Sequence, residues 1–260
     1  TENPFYILNN LKGIKGFIYN NYSKDGTKGQ KYERNYFSNE NAMIIDEARA
    51  LIDNWYQGGL INEDEYFYLL ACLLEALDKV ANTASVYGAF LKKIKKSAVK
   101  QIYIPELPTI LSQRKNLVDN LDAKKWIKGV SGDILYLDPP YNQRQYATNY
   151  HILETIAKMD NPFIYGKTGL REYEDQKSNW CYKGKVEAEF EEILKNANFK
   201  YIFLSYNNEG IMSLETVKEI MNKYGDYSLK KTKYRRFKSD SKRNNKSDHT
   251  YEHLHCLIKK

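Results

Sequence analysis

Four consecutive residues, Asp138, Pro139, Pro140 and Tyr141, could together activate an amino group, and they follow a short apolar run at residues 134–137. Two prolines make a rigid turn with carbonyl acceptors, because each has a fixed φ and lacks a backbone N–H. A carboxylate and a carbonyl that accept both N–H groups of an aromatic amine would draw its nitrogen toward tetrahedral geometry and expose its lone pair. Tyr141 offers a flat face for stacking. The pattern predicts methyl transfer to a base nitrogen. The alternative is that these residues only form a turn that ends the strand.

The second half of the chain predicts the α/β elements that must position this turn. The sequence predicts four strands, at residues 134–137, 201–205, 227–232 and 251–258, and three helices, at residues 151–158, 187–196 and 213–224. Strands that alternate with helices imply a parallel sheet, here with a closing hairpin at the end. A ligand of such a sheet binds beyond the carboxyl ends of the strands, which is where the turn lies.

The first half of the chain predicts helices. Helical spacing that starts at Asn41 stops at Gly58-Gly59, and Asn62 with Glu65 forms a capping-box pattern ahead of a second helix. The segment 85–100 is expected to continue as a basic helix. We therefore expect a helical, basic region over residues 1–115 and an α/β region over residues 116–260.

Positive charge is concentrated in two places. The chain carries a net charge of +7, and the segment 230–246 alone holds nine basic residues and one acid, which leaves −1 for the remainder. A second basic cluster lies within residues 92–100. Two basic patches on a nearly neutral body indicate a polyanionic partner, although each patch alone could be a solvated surface.

The cysteine and histidine patterns predict neither disulfides nor a metal site. Cys72, Cys181 and Cys256 are widely spaced and form no C-x-x-C pair. His253 and His255 would share one face of a strand, but no third ligand with zinc spacing accompanies them. No apolar run is long enough to span a bilayer and no signal sequence is present, so we expect a cytoplasmic protein without a membrane partner.

The residues that follow the turn extend the pattern to one that resembles a known enzyme family. The run DPPYNQRQYATNYHILETIA resembles adenine-specific DNA methyltransferases of restriction–modification systems, the Dam-like class that includes FokI-type modification methylases. The segments NYFSNENAMIIDEARALIDNW and LLEALDKVANTASVYGAFLKK are similar to the helical part of that family. The segment YIFLSYNNEG, residues 201–210, is similar to its motif VI strand. The resemblance covers most of the chain.

This resemblance implies part of a Rossmann-like sheet that uses S-adenosylmethionine, with a helical target-recognition region before residue 116. Asp138 to Tyr141 would be catalytic, and Asp122 and Asp138 would bind the cofactor. The substrate would be an adenine rotated out of double-stranded DNA. The residues expected to contact that DNA are Lys92, Lys93, Lys96, Arg144, Tyr146, Asn149, Tyr150, Arg235, Arg236 and Lys238.

The family's Gly-rich cofactor turn is missing from the chain. Gly13, Gly16, Gly26 and Gly29 do not follow an apolar strand, and Gly58-Gly59 ends a helix. Family order would place that turn before Thr1. We therefore expect a fragment of a longer enzyme, weakly active or inactive alone, whose partners include a missing N-terminal half or a companion restriction endonuclease.

Two alternative functions remain open from the sequence. Related D-P-P-Y or N-P-P-Y turns also occur in enzymes that methylate amino groups of ribosomal RNA. A non-catalytic DNA-binding module derived from a methylase would keep the recognition region without the Gly-rich turn. The helical region before the turn and the NQRQY tail favour DNA as the substrate.

Overall fold

A computed structural model describes residues 3–110, 112–235 and 249–260. The described helices and strands, in chain order, are α1 (Pro4–Leu8), α2 (Phe17–Tyr22), α3 (Asn39–Gln57), α4 (Glu63–Val80), α5 (Ala123–Trp126), β1 (Ser131–Leu137), α6 (Tyr146–Asn149), α7 (His151–Lys158), β2 (Ile164–Tyr165), β3 (Leu170–Arg171), α8 (Val186–Asn196), β4 (Asn198–Asn207), α9 (Leu214–Asn222), β5 (Gly225–Arg235) and β6 (His249–Lys259). Two short 3-10 helices cover Glu174–Gln176 and Asn179–Cys181.

The chain divides into two compact units. The first contains Thr1–Leu111 and Ala147–Asp175, and the second contains Ser112–Tyr146 and Gln176–Lys260. The expected functional regions, 1–115 and 116–260, stay a prediction. The segment 147–175 belongs to the predominantly helical first unit, although it follows the catalytic turn in sequence.

The two long helices of the first unit lie where the sequence predicts them, although α3 begins at Asn39, two residues before the expected Asn41. The Ser38 side chain accepts a hydrogen bond from the Asn41 N–H at the start of α3, and Gly58 is the C-cap residue of that helix. Asn62 and Glu65 form a complete capping box at the start of α4. These contacts satisfy backbone groups that helix ends leave without partners, which is why the end of α3 at Gly58 and the start of α4 at Asn62 were predictable.

An apolar core joins the helices of the first unit. One face of α4 is buried in it, from Leu69 to Val80, together with the fully buried rings of Tyr22, Tyr36 and Tyr87. The Tyr22 hydroxyl donates to the Gly169 carbonyl and the Tyr36 hydroxyl donates to the Tyr87 carbonyl, both at 2.8 Å. These bonds offset the cost of burying the hydroxyl groups.

The prediction of a basic helix over residues 85–100 is wrong, because this segment is an irregular loop. The buried side chain of Asn82 donates to the carbonyls of Asn35 and Leu91 and accepts from the Lys95 N–H. Ser85 has a φ of +87°. An asparagine that bonds to backbone groups of the loop competes with helical hydrogen bonding, which the spacing of apolar residues does not reveal.

The second unit contains a mixed four-stranded sheet of order β1-β4-β6-β5. Strands β1 and β4 are parallel, so that Leu137 lies beside Leu204. Strand β6 pairs antiparallel with both β4 and β5, which confirms the closing hairpin. The α/β class is therefore confirmed, but the parallel pairing is limited to β1 and β4 among the described strands.

Helices α8 and α9 contribute to the apolar core that includes residues of the sheet. Phe190 and Ile193 of α8 and Val217 of α9 are buried in the cluster that also contains Ile202 and Leu257. Within the described part of the chain β1 pairs with β4 alone, and its Ile134 and Tyr136 side chains are 61% and 59% exposed. Strand β1 therefore forms one edge of the described sheet.

Within the described ranges, none of the helices combines the length and the apolar composition that a membrane-spanning helix requires.

Candidate active site

The Asp138–Tyr141 turn leaves the sheet at the carboxyl end of β1. Because β1 and β4 run parallel, the segment after β4 leaves the sheet at the same edge. Asp138 is exposed, Pro139 and Pro140 are half-buried, and Tyr141 is 38% exposed. The turn is therefore open to a ligand, as the predicted chemistry requires.

The acceptors of the turn are available to a substrate. Among the described residues, no donor contacts the Asp138 carboxylate or the Pro139 carbonyl oxygen. The prolines cannot donate hydrogen bonds of their own. The turn therefore presents two hydrogen-bond acceptors to a group that carries two N–H bonds.

Tyr141 is anchored by the segment that follows β4. Its carbonyl oxygen accepts a 2.9 Å hydrogen bond from the Ile211 N–H. Its ring meets the buried ring of Tyr206 edge to face, with centroids 6.4 Å apart. A Cβ at Gly210 would overlap the Tyr206 ring, so this position requires glycine. The sequence places residues 201–210 in a motif VI strand but does not show that this segment anchors Tyr141.

An open pocket of about 320 Å³ lies against Tyr141. Its lining residues come from the turn, from the segment after β4 and from a loop that precedes α8: Tyr141, Asn142, Gln143, Lys183, Glu209 and Ile211. Lys183 and Glu209 were not predicted as site residues. No spacing pattern in the sequence connects either of them to the turn.

The loop after Tyr141 is fixed by Gln145. The Gln145 amide donates to the Ser178 carbonyl at 3.1 Å, and its oxygen accepts from the Ser178 N–H at 2.8 Å. The Arg144 carbonyl accepts from the Cys181 thiol, and the Arg144 N–H donates to the Asn142 side chain. The Arg144 side chain itself is exposed. Gln145 therefore positions the loop while Arg144 remains accessible.

The other predicted DNA contacts of this run fall in both units. Tyr146 belongs to the second unit and is 48% exposed. Asn149 and Tyr150 belong to the first unit, where the Asn149 carbonyl accepts from the Tyr87 N–H at 2.7 Å and Tyr150 is 40% exposed. Their DNA-binding roles stay predictions.

Asp122 is the N-cap of α5. Its carboxylate accepts a 3.0 Å hydrogen bond from the Lys124 N–H. This contact gives Asp122 a local structural role, and its predicted contact with a cofactor stays a prediction.

Three basic side chains of the first unit line one pocket beside the start of α3. Lys92 and Lys93 line an open pocket of about 460 Å³ together with Lys24, which was not predicted. Lys96 is exposed nearby in sequence, whereas the Lys95 ammonium donates to the Thr83 carbonyl. Folding therefore adds Lys24 to the basic cluster that the sequence indicates.

The second predicted basic patch is only partly described. Arg235 is the last residue of β5, and its side chain is outside the described part of the structure. Arg236 and Lys238 lie outside the described residues. Their DNA contacts stay predictions.

The paired histidines of β6 are buried on one face of the sheet. The Tyr227 hydroxyl and His255 Nδ1 lie 2.9 Å apart. Burial, followed by the proximity of His253 and Lys231, lowers the pKa of His255 from 6.5 to about 4. Burial also lowers the pKa of His253. Among the described residues, no group of three or more His, Cys, Asp or Glu side chains could hold a metal ion.

Comparisons with known proteins agree with the chemistry of this turn. The model of the MethyltransfD12 family, D12 class N6 adenine-specific DNA methyltransferase, matches residues 2–220. No solved structure matches the chain.

Three relatives illustrate the similarity. Type II methyltransferase M.NlaIII of Neisseria lactamica is 50% identical over 254 residues, which cover 97% of this chain and 74% of the relative. Type II methyltransferase M.FokI of Planomicrobium okeanokoites is 43% identical over 84% of this chain but 34% of its own length. Type II methyltransferase M.CviAII of Paramecium bursaria Chlorella virus 1 is 37% identical over 87% of this chain and 65% of its own length.

These comparisons support neither alternative function, and the fragment hypothesis stays an expectation from the sequence. The family match covers most of the chain, including Asp138 to Tyr141, and the similarity to M.NlaIII extends over nearly all of it. The chain belongs to the D12 class of N6 adenine-specific DNA methyltransferases.

Proposed function

We propose that the chain transfers a methyl group to N6 of an adenine rotated out of double-stranded DNA, and that Asp138 and Pro139 carry the reaction. The observation that supports this most directly is the exposed turn with two available acceptors beside an open pocket. A target adenine must leave the base stack, because its amino group is paired inside the duplex.

In this mechanism the turn orients the amino nitrogen. The Asp138 carboxylate and the Pro139 carbonyl accept its two N–H bonds, and Tyr141 stacks against the base. The hydrogen bond from Ile211 and the contact with Tyr206 hold Tyr141 in place. As the nitrogen becomes positively charged, Asp138 stabilises that charge and accepts its proton.

We propose S-adenosylmethionine as the methyl donor, held in part by Asp138 and Asp122. An exposed carboxylate without a partner among the described residues suits the cationic groups of this cofactor, and Asp138 provides one. The cofactor supplies an electrophilic methyl group when bound. The strand order β1-β4-β6-β5 is consistent with part of a Rossmann-like methyltransferase sheet.

We propose that the basic residues provide the affinity for DNA. Lys92, Lys93 and Lys96 on the first unit and Arg144 on the second are exposed and can contact phosphates. The remaining predicted contacts are Tyr146, Asn149, Tyr150, Arg235, Arg236 and Lys238. A companion restriction endonuclease is part of the same proposal, since the relatives are named type II methyltransferases.

Incubation with labelled S-adenosylmethionine tests this proposal. The substrates are unmethylated duplex DNA, the same DNA methylated at adenine N6, and ribosomal RNA. We expect label in the unmethylated DNA alone, recovered as N6-methyladenine after digestion. Label in RNA, or in another base of the DNA, would contradict the proposal.

A further inference from the structure

A second pocket, of about 370 Å³, lies at the start of α9. It is bounded by Asn208 after β4, by the first turn of α9, and by Lys231 and His253 of the β5–β6 hairpin. All of these residues belong to the second unit. Because Asn208 follows β4, the pocket lies toward the same sheet edge as the Asp138 turn, and its lining residues differ from those of the Tyr141 pocket.

The first turn of α9 presents backbone N–H groups to this pocket. The Ser213 side chain accepts from the Thr216 N–H, and the Ser213 carbonyl accepts from the Val217 N–H. Within the described residues, the N–H groups of Leu214 and Glu215 have no acceptor. Such groups at a helix N-terminus, with the helix dipole behind them, favour an anion.

The His253 side chain is an independent sign that a ligand binds here. It is only 7% exposed and lines the pocket. Its ring packs against that of His255, with centroids 5.7 Å apart, but no hydrogen bond to its ring nitrogens is formed by any described residue. The largely buried imidazole therefore has no described protein partner and lines the pocket, where it can form a hydrogen bond with a ligand oxygen.

Two further donors face the same space. Lys231 lies directly opposite His253 in the β5–β6 pairing, so both side chains are on the same face of the sheet. The Asn208 side-chain oxygen accepts from the Thr250 hydroxyl and the Tyr251 N–H. Its amide NH₂ therefore remains as a donor, and no described residue accepts from it. The one acid in the lining, Glu215, is exposed.

We infer that this pocket binds a phosphate group of the DNA backbone, held by the α9 N–H groups, Lys231, His253 and Asn208. This inference rests on the proposed function for the identity of the ligand. The donors combine one positive charge, a helix N-terminus and neutral hydrogen-bond donors, which suits a singly charged phosphodiester. Binding at this sheet edge would hold the DNA strand close to the carboxyl ends of β1 and β4, where the extruded adenine is expected.

Substitution of adjacent lysines separates a specific contact from general attraction. Lys231→Gln should weaken duplex DNA binding roughly tenfold, because it removes a charge-assisted hydrogen bond, and should lower the salt slope by about 1. Lys230→Gln is the matched control, because Lys230 is exposed and its side chain points to the opposite face of β5. Equal weakening by both substitutions would overturn the inference.

A measurement on the wild-type chain avoids dependence on variants. The imidazole resonances of His253 are followed by NMR during titration with a short duplex and, separately, with inorganic phosphate. We expect saturable shifts with the duplex, and competition by inorganic phosphate at much higher concentration. A response to inorganic phosphate without any response to the duplex would show a free-phosphate site and overturn the inference, as would no response to either.

The methylation assay distinguishes this inference from the proposed function. If the chain binds duplex DNA through His253 and Lys231 but methylates no adenine, the proposed function fails and the phosphate site stands. If the chain methylates adenine while Lys231→Gln binds DNA like the wild type, the phosphate site fails and the proposed function stands.

Discussion

The Ile211 N–H donates a 2.9 Å hydrogen bond to the Tyr141 carbonyl oxygen, and this bond connects the segments that follow the two parallel strands. The edge-to-face contact between Tyr141 and Tyr206 joins the same two segments through their side chains. A turn held from both its backbone and its ring has little freedom. The proposed acceptors are therefore fixed before a substrate arrives, which is the arrangement that positional catalysis requires.

Gly210→Ala should disturb this arrangement. The added Cβ would overlap the Tyr206 ring, which must then move and shift Tyr141. We expect kcat to fall roughly tenfold or more, because small displacements of catalytic groups are costly. Gly184→Ala is the control, since a Cβ there meets nothing within 4 Å. Similar rates for the two variants in the methylation assay would contradict the anchoring role.

Gln145→Ala should release the loop after the turn, because it removes both hydrogen bonds with Ser178. We expect kcat to fall roughly tenfold, while the melting temperature changes less than for a core substitution. Gln145→Glu keeps the acceptor for the Ser178 N–H but sets a carboxylate oxygen against the Ser178 carbonyl oxygen in a buried position, so its rate should be no higher than that of Gln145→Ala. The exposed Gln113→Ala variant is the control. Unchanged kcat in Gln145→Ala would refute a positioning role.

Replacement of both Lys92 and Lys93 by Gln should weaken DNA binding, because two cations that can pair with phosphates are removed. The slope of log K against log salt should fall by about 2, since each phosphate contact contributes about 0.9. Fluorescence anisotropy with a labelled duplex measures that slope. Lys79→Gln, on the exposed surface of α4, is the control. A slope that does not change would remove these lysines from the DNA interface.

Acid should destabilise the chain through His255. Its pKa is about 4 in the folded state and about 6.5 when unfolded, so the unfolded chain binds the proton first as the pH falls. The stability that the folded chain gains from keeping His255 neutral is fully present above pH 6.5 and is lost as the pH falls toward 4. We expect the free energy of unfolding to drop by about 2 kcal/mol between pH 7.5 and 5 from this group. His255→Gln should flatten that dependence in denaturant titrations; an identical slope would contradict the assignment.

The sequence predicts the elements whose signals are local. The capping box at Asn62 and the stop at Gly58 locate α3 and α4, and short apolar runs locate β1 and β4. The turn at Asp138 is recognisable because an acid, two prolines and a tyrosine follow one another directly after an apolar run. These features need no information about distant residues.

The features that the sequence does not predict depend on contacts between distant residues. The buried Asn82 side chain forms hydrogen bonds with backbone groups of a loop where the sequence predicts a basic helix. Lys24 lines the same pocket as Lys92, although the two residues are far apart in sequence. The two hydrogen bonds between Gln145 and Ser178 connect positions that are 33 residues apart in sequence. The spacing of apolar residues does not predict such contacts, because each of the two polar residues is ordinary in the sequence by itself.

Methyl transfer by the Asp138→Ala variant tests the central claim most directly. Single-turnover assays should show a rate about 1000-fold below the wild type, because one of the two acceptors for the amino group is lost, while DNA affinity is unchanged. Asp133→Ala, an exposed acid on the same strand, should behave like the wild type. Transfer by Asp138→Ala at the wild-type rate would contradict the account.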